Sequence, residues 1–333
     1  MSRPEHVNDP ITVGEVTVPP GRQARFELPF ARLPTGNMAT LPVVVVNGRH
    51  PGPNVWISGA IHGDELNGVQ ITRAVLRGLE PRRLRGAVIA VPIVNVLGFI
   101  SGDRYLPDRR DLNRSFPGSR RGSLAARLAD LFMREVVGHC HVGIDLHTAA
   151  AHRYNVPQIR ADLDDPQTLE LARSFGAPFT IHARLRDGSL RQAATERGIK
   201  VLLFEAGQAN RFDREAILCG VDGVMRVLAS LGMINHVDPQ PPPTVTVRRT
   251  TWVRARRGGI AELHVSPGEE VEAGRMVATI GDATGVRPST VKAPTDGWVI
   301  AVNQNPLVGP GDALVHLATA GEGRDEPAER RRR

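Results

Sequence analysis

The chain has 333 residues, 41% of them apolar and 23% charged, enough for two domains and a sizeable buried core. Its net charge of +7 and pI near 10.5 resemble a nucleic-acid footprint, but only Lys200 and Lys292 are lysines, so 40 of the 42 basic residues are arginines, a skew expected from codon usage. There is no basic stripe with interleaved aromatics, no signal-peptide h-region and no apolar run of bilayer length, which argues against nucleic-acid and membrane partners and for a cytoplasmic protein.

Residues 1–40 read as a loose arm followed by edge strands, with alternation over 11–30. A strand over 41–46 ends in the turn signal Asn47-Gly48. The apolar run 55–61 reads as a buried strand that carries His62 and Glu65 into the loop beyond it. A helical pattern starts at about Leu66, and residues 87–92 form the next buried strand, an order that implies a parallel pair with a right-handed crossover. Residues 95–118 lack periodicity, and loops of such length are usually functional. An amphipathic helix follows over 123–137, with Ser123 as its N-cap, and then a strand over 142–147. Strands over 155–160, 179–182 and 200–205 alternate with helices over 166–175, 190–197 and 213–231, which predicts an α/β catalytic domain over 41–236 with a mostly parallel sheet. The proline-rich stretch 237–244 reads as a stiff linker. Short alternating stretches over 245–318 predict a small all-β module, whose segments 266–274 and 306–314 echo each other, and 319–333 is an Arg-rich tail expected to be disordered.

Strand ends are where open α/β sheets keep their sites, and three of them here carry chemistry. His62 and Glu65, three residues apart, can address one metal ion, but catalytic zinc typically takes a third protein ligand. His147 ends the strand over 142–147, and Asp145 shares its face, so Asp145 can orient an imidazole, either His147 or His62. Glu205 follows an apolar run and suits proton transfer with metal-activated water; a carboxylate capping a loop is the plainer reading. In the long loop, Asn113-Arg114 offers a planar fork and a further donor to a carboxylate, with Asp111 to hold it; a solvated charge run is the alternative. The cysteines Cys140 and Cys219 have no CxxC spacing and suit a reducing compartment.

The segments His62-Gly63-Asp64-Glu65, Asp111-Leu112-Asn113-Arg114-Ser115-Phe116, Asp145-Leu146-His147-Thr148 and Phe204-Glu205-Ala206-Gly207 occur in the order seen in the succinylglutamate desuccinylase/aspartoacylase family, of the zinc carboxypeptidase-like superfamily. The resemblance covers about residues 40–235. It implies a carboxypeptidase-like mixed, mostly parallel sheet flanked by helices, and one zinc per chain held by His62, Glu65 and His147. It implies Glu205 as general base and acid, and Asn113 and Arg114 as binders of a substrate carboxylate. Arg104 resembles the arginine that polarises the scissile carbonyl, with Arg109 and Arg110 as alternatives because the spacing to Asn113 is longer than in aspartoacylase. The implied reaction is hydrolysis of a small N-acyl amino acid, N-acetyl-diaminobutyrate being one candidate. A cytosolic zinc carboxypeptidase on short peptides and a metal-free binding protein on the same scaffold are the competing readings. Members of the family often form dimers or tetramers, so a homo-oligomer is a further expectation. The C-terminal module resembles the lipoyl/biotinyl barrel-sandwich fold around residues 291–299, but the turn 281–285 has no lysine and Lys292 lies past the modified position. Neither lipoyl nor biotin is expected, and the module is expected to pack over the active-site mouth or to make subunit contacts.

Overall fold

The structure, a computed structural model, describes residues 7–235, 240–285 and 288–319. The start of the N-terminal arm, the first part of the predicted linker and the Arg-rich tail from residue 320 onward lie outside them. The predicted N-terminal edge resolves into a separate hairpin, β1 (Ile11–Val13) and β2 (Val16–Val18), and a long strand β3 (Arg22–Arg32), which pairs antiparallel with β4 (Met38–Asn47). Along β3, Ala24, Phe26 and Leu28 turn inward while Arg25 and Glu27 face water, the alternation of a half-buried edge strand.

The centre of the sheet is built from β5 (His50–Gly59), α1 (Asn67–Gly78) and β6 (Arg85–Val91), then α2 (Val96–Ser101) and α3 (Leu124–Glu135), then β7 (Val142–Ala149) and β8 (Arg153–Ala161). It is completed by α4 (Pro166–Phe175), β9 (Phe179–His182), α5 (Leu190–Thr195), β10 (Lys200–Gln208) and α6 (Arg214–Ser230). Strands β6, β5, β7 and β10 lie side by side and parallel, and β4 and β8 flank them antiparallel. All eight residues of β7 are buried, as a strand covered on both faces requires. One face packs Trp56, Ile89, Leu128 and Phe132 under α3 and α5; the other packs Ile57, Ile71, Phe175 and Phe204 under α1, α4 and α6. Helix starts follow the side chains: Ser123, Asp165, Ser189 and Asp213 each accept a hydrogen bond from a backbone N–H three residues on. The helix α2 was not foreseen. It has six residues, too few to show a period, and rests on the Asn95 cap.

The C-terminal strands are β11 (Val245–Val247), β12 (Thr250–Arg254), β13 (Gly259–Leu263), β14 (Glu270–Val271), β15 (Met276–Gly281), β16 (Ser289–Lys292), β17 (Gly297–Asn303), β18 (Leu307–Val308) and β19 (Ala313–Thr319). They do not stand apart from the catalytic sheet. β11 adds parallel to β9, and β17 pairs antiparallel with β8, Ala301 opposite Asn155 and Asn303 opposite Arg153. β19 and β12 extend the sheet further, while β16, β15, β13 and β18 form a second sheet across a small core of Val277, Ile280, Val299 and Leu317. Each echoing segment contains a two-residue strand, at a different position within it: β14 joins β17 in the first sheet and β18 joins β13 in the second. A seam of Phe179, Ile181, Val247 and Ile300 packs the module against β8 and β9.

Gly143 on β7 lies against the buried indole of Trp56, where a β-carbon would fall 2.0 Å from the ring. Gly143→Ala is therefore expected to destabilise the protein by about 1–3 kcal/mol, read as a lowered denaturant midpoint.

Candidate active site

The ends of β5, β7 and β10 point the same way and bring His62, Glu65, His147 and Glu205 together at one edge. The turn after β5 begins with Ala60 at φ +48 and lies hard against α2, since a β-carbon on Gly63 would sit 2.0 Å from the carbonyl carbon of Gly98. A non-glycine residue in that conformation carries strain, which folds tolerate mostly at functional sites. Asn95 fixes both neighbours of the turn: its Oδ1 caps α2 through the Gly98 N–H, and its Nδ2 donates to the Arg104 carbonyl.

Glu65 is 1% exposed and stands between the two imidazoles. His62 Nδ1 is 2.6 Å from its Oε1, and His147 Nδ1 is 2.8 Å from its Oε2. The Thr148 N–H also donates to Oε2 at 3.2 Å. Both imidazoles thus turn the same nitrogen inward, and carboxylates hold the outer ones: Asp145 for His147 Nε2 at 2.8 Å, Asp111 for His62 Nε2 at 3.2 Å. Of the two imidazoles open to Asp145, the structure gives it His147, and Ser58 braces it from the far side at 2.8 Å. One donor atom from each of His62, Glu65 and His147 falls within 4.8 Å of the others, a buried two-nitrogen, one-oxygen set that fits a divalent ion. A second group, Asp162, Asp164 and His182, is more exposed, and Asp164 there pairs with Arg248.

Burial opposes charge on all three central groups, but their mutual attraction prevails: the imidazoles hold Glu65 below the usual carboxylate range, and Glu65 with Asp145 and Asp111 raises both histidines. Burial likewise works against Asp111, yet its bonds to His62 and Arg104 hold its carboxyl low. Arg104 reaches Asp111 at 3.1 Å and Glu65 at 3.4 Å. Arg109 and Arg110 are exposed, and Arg110 pairs with Asp108, so of the three arginines weighed only Arg104 faces the cluster. Asp111 also caps the turn Leu112–Arg114 through the Asn113 N–H, so it ties that turn to His62. Asn113 Oδ1 accepts from the Leu190 N–H, while Arg114 is exposed at the rim.

These groups line a cavity of about 650 Å³. Glu205 is half-buried in its wall, directly across the β7–β10 ladder from His147, with Oε2 accepting from Asn155 Nδ2 at 2.8 Å. Sequence reasoning missed Asn155; of its two expectations for the C-terminal module, packing over the active-site mouth agrees with the structure, where the module lends Thr250, Trp252 and His316 to the wall. His316 stacks on Trp252 at 4.2 Å between centroids, and Arg153 lies 5.3 Å from the same indole. Burial, then Arg160, Arg153 and Arg186, push the His316 imidazole down to about 3, so it stays neutral.

The profile of the succinylglutamate desuccinylase/aspartoacylase catalytic domain matches residues 51–231. The chain belongs to this family. Among curated proteins, the N-α-acetyl-L-2,4-diaminobutyric acid deacetylase of Halomonas elongata is 31% identical over 309 residues, 87% of this chain and 90% of its own. Among solved structures, a succinylglutamate desuccinylase/aspartoacylase from Rhodobacter sphaeroides is 28% identical at a TM-score of 0.82, covering 90% of this chain and 96% of that one. The product-bound ectoine utilization protein EutE (DoeB) of Ruegeria pomeroyi shares the fold at a TM-score of 0.83 and 24% identity, over 94% of this chain and 100% of its own. Within the desuccinylase/aspartoacylase fold, four strand and loop segments far apart in sequence thus meet at one edge of the sheet. No helix among the described residues is long and apolar enough to cross a membrane.

A metal ion at His62, Glu65 and His147 competes with protons for both imidazoles. Since Glu65 raises both, affinity is expected to fall on acidification by about tenfold per pH unit for each proton displaced, measured by chelator competition at stepped pH. Asp145→Asn, which loses the charge behind His147, is expected to weaken metal binding by roughly 10–100-fold in the same assay.

Proposed function

We propose that the chain is a zinc-dependent hydrolase that cleaves the amide bond of a small N-acyl amino acid, with Glu205 as general base and acid. The observation that carries this reading is the placement of a second carboxylate, Glu205, across one ladder rung from His147 in the buried His62–Glu65–His147 set. When bound there, zinc supplies Lewis acidity and makes water a better acid. Glu205 takes the proton of the attacking water as its oxygen adds to the amide carbonyl, and returns it to the amine that leaves. Arg104, fixed by Asp111, turns its guanidinium toward the charge that develops on the carbonyl oxygen, an effect worth ~3 kcal/mol per donor in comparable sites. Asn113 and Arg114 are assigned to the carboxylate of the substrate. Seven arginines against two glutamates in the wall suit an anionic ligand, and the deacetylase relative acts on a small N-acetyl amino acid. The two free cysteines agree with a reducing, cytoplasmic setting.

The test combines metal analysis with a substrate panel. About one zinc per chain is expected, with activity lost on chelation and restored by zinc. N-acetyl, N-succinyl and N-aspartyl amino acids are expected to turn over and short peptides not; preferential trimming of peptides would favour the carboxypeptidase reading. Glu205→Gln is expected to keep its zinc and lose roughly 10²–10⁴-fold in turnover. Full turnover in that variant would remove Glu205 from the mechanism, and a zinc-free, inactive native protein would favour the binding protein.

A further inference from the structure

The Asn155 amide is the one protein group among the described residues that holds the Glu205 carboxylate: Nδ2 donates to Oε2 at 2.8 Å, and no hydrogen bond or ion pair reaches Oε1. The contact exists because of a fault in the ladder. From Leu203 to Glu205, β10 pairs regularly with β8, with Glu205 opposite Gln158. Beyond that point the register shifts, so that Asn155 stands opposite Gly207 rather than residue 208. Asn155 and Gln158 are three positions apart, and in an unbroken strand the two would face opposite sides. The extra residue in β8 reverses that parity and turns Asn155 onto the side of Glu205, as bulges beside active sites do. On β10 the shift is absorbed at Gly207, whose φ of +73 a side chain would strain and whose β-carbon would crowd Asn67 Nδ2 at 2.7 Å.

Asn155 is 6% exposed, and its backbone is gripped from both sides, by Gly207 of β10 and by Ala301 of β17. Its side chain therefore leaves from a fixed point at the seam between the catalytic strands and the C-terminal module. An amide does not titrate, and its N–H can donate to Oε2 whether or not Oε1 carries a proton.

We propose that Asn155 is the positioning residue of Glu205: it anchors Oε2 and so presents Oε1 alone for proton transfer. This rests on the assignment of Glu205 as the base. In each turnover one O–H bond of water breaks as Oε1 gains the proton, and that O–H bond breaks in turn as the amine nitrogen gains it; Asn155 neither gains nor loses a proton.

The experiment compares Asn155→Asp, which keeps the shape but replaces the amide donor by a second carboxyl group against Oε2, with Asn155→Ala, which removes the group, Glu205→Gln and the Asn155→Ala/Glu205→Gln pair, all as full chains of checked zinc content and melting temperature. Asn155→Asp and Asn155→Ala are expected to lower kcat by roughly 10–100-fold and move KM less than about threefold, because a misplaced catalytic group costs turnover rather than binding. Added to Glu205→Gln, Asn155→Ala is expected to have no further effect. The proposal is overturned if Asn155→Asp folds and keeps wild-type kcat while Glu205→Gln is inactive, or if the double variant loses activity additively. Wild-type turnover in Glu205→Gln would overturn the assignment of Glu205 itself, an outcome distinct from both.

Discussion

One carboxylate shared between two imidazoles sets the terms for the rest of the molecule. Glu65 is almost wholly buried, and a charge in that position is tolerable only with partners in good geometry. Its two oxygens face His62, in the turn after β5, and His147, on β7, two strands that lie side by side and parallel. The outer imidazole nitrogens need carboxylates of their own, Asp145 with Ser58 behind it and Asp111 with Arg104 beside it. Each added group satisfies the one before it, and together they form a set of alternating charges along the cavity wall. Removing one member would leave an uncompensated buried charge, so the set behaves as a unit.

The surroundings are shaped to admit this unit and little else. Gly63 lets the loop press against α2, and Gly68 lets α1 approach β7, since a β-carbon there would lie 2.8 Å from the Leu146 carbonyl. On the opposite wall the chemistry changes character. His316 remains uncharged amid arginines and stacks flat on Trp252, giving the cavity a rigid aromatic side that belongs to the C-terminal module. The pocket thus draws on both parts of the chain: charged groups from the strand ends, aromatic surface from β12 and β19.

The sequence made the charged half legible, and for a physical reason. Parallel strands buried on both faces are continuous apolar runs, so the polar residue that ends each run is conspicuous: His62, His147 and Glu205 were all visible in this way. Asp145 could be placed by the two-residue period of a strand, although its partner could not be chosen until the strands were paired. What stayed hidden depended on pairing between distant segments. Nothing local in β8 reveals that its partner on one side is β17, nor that the ladder to β10 slips by one residue and turns Asn155 toward Glu205. Trp252 and His316 sit in short alternating strands whose pattern says which residues are inward but not which cavity they meet. The helix α2 escaped because its six residues hold less than two turns.

The unbroken ladder from β8 into β17, with β11 laid beside β9, has a mechanical consequence. Swinging the C-terminal strands outward would rip rungs from both pairings and open the apolar seam at Phe179 and Ile300. Both faces of the cavity are thus tied into one sheet, and the wall residues left outside the ladders are those of connections, such as Ala150 and Arg184 to Arg186.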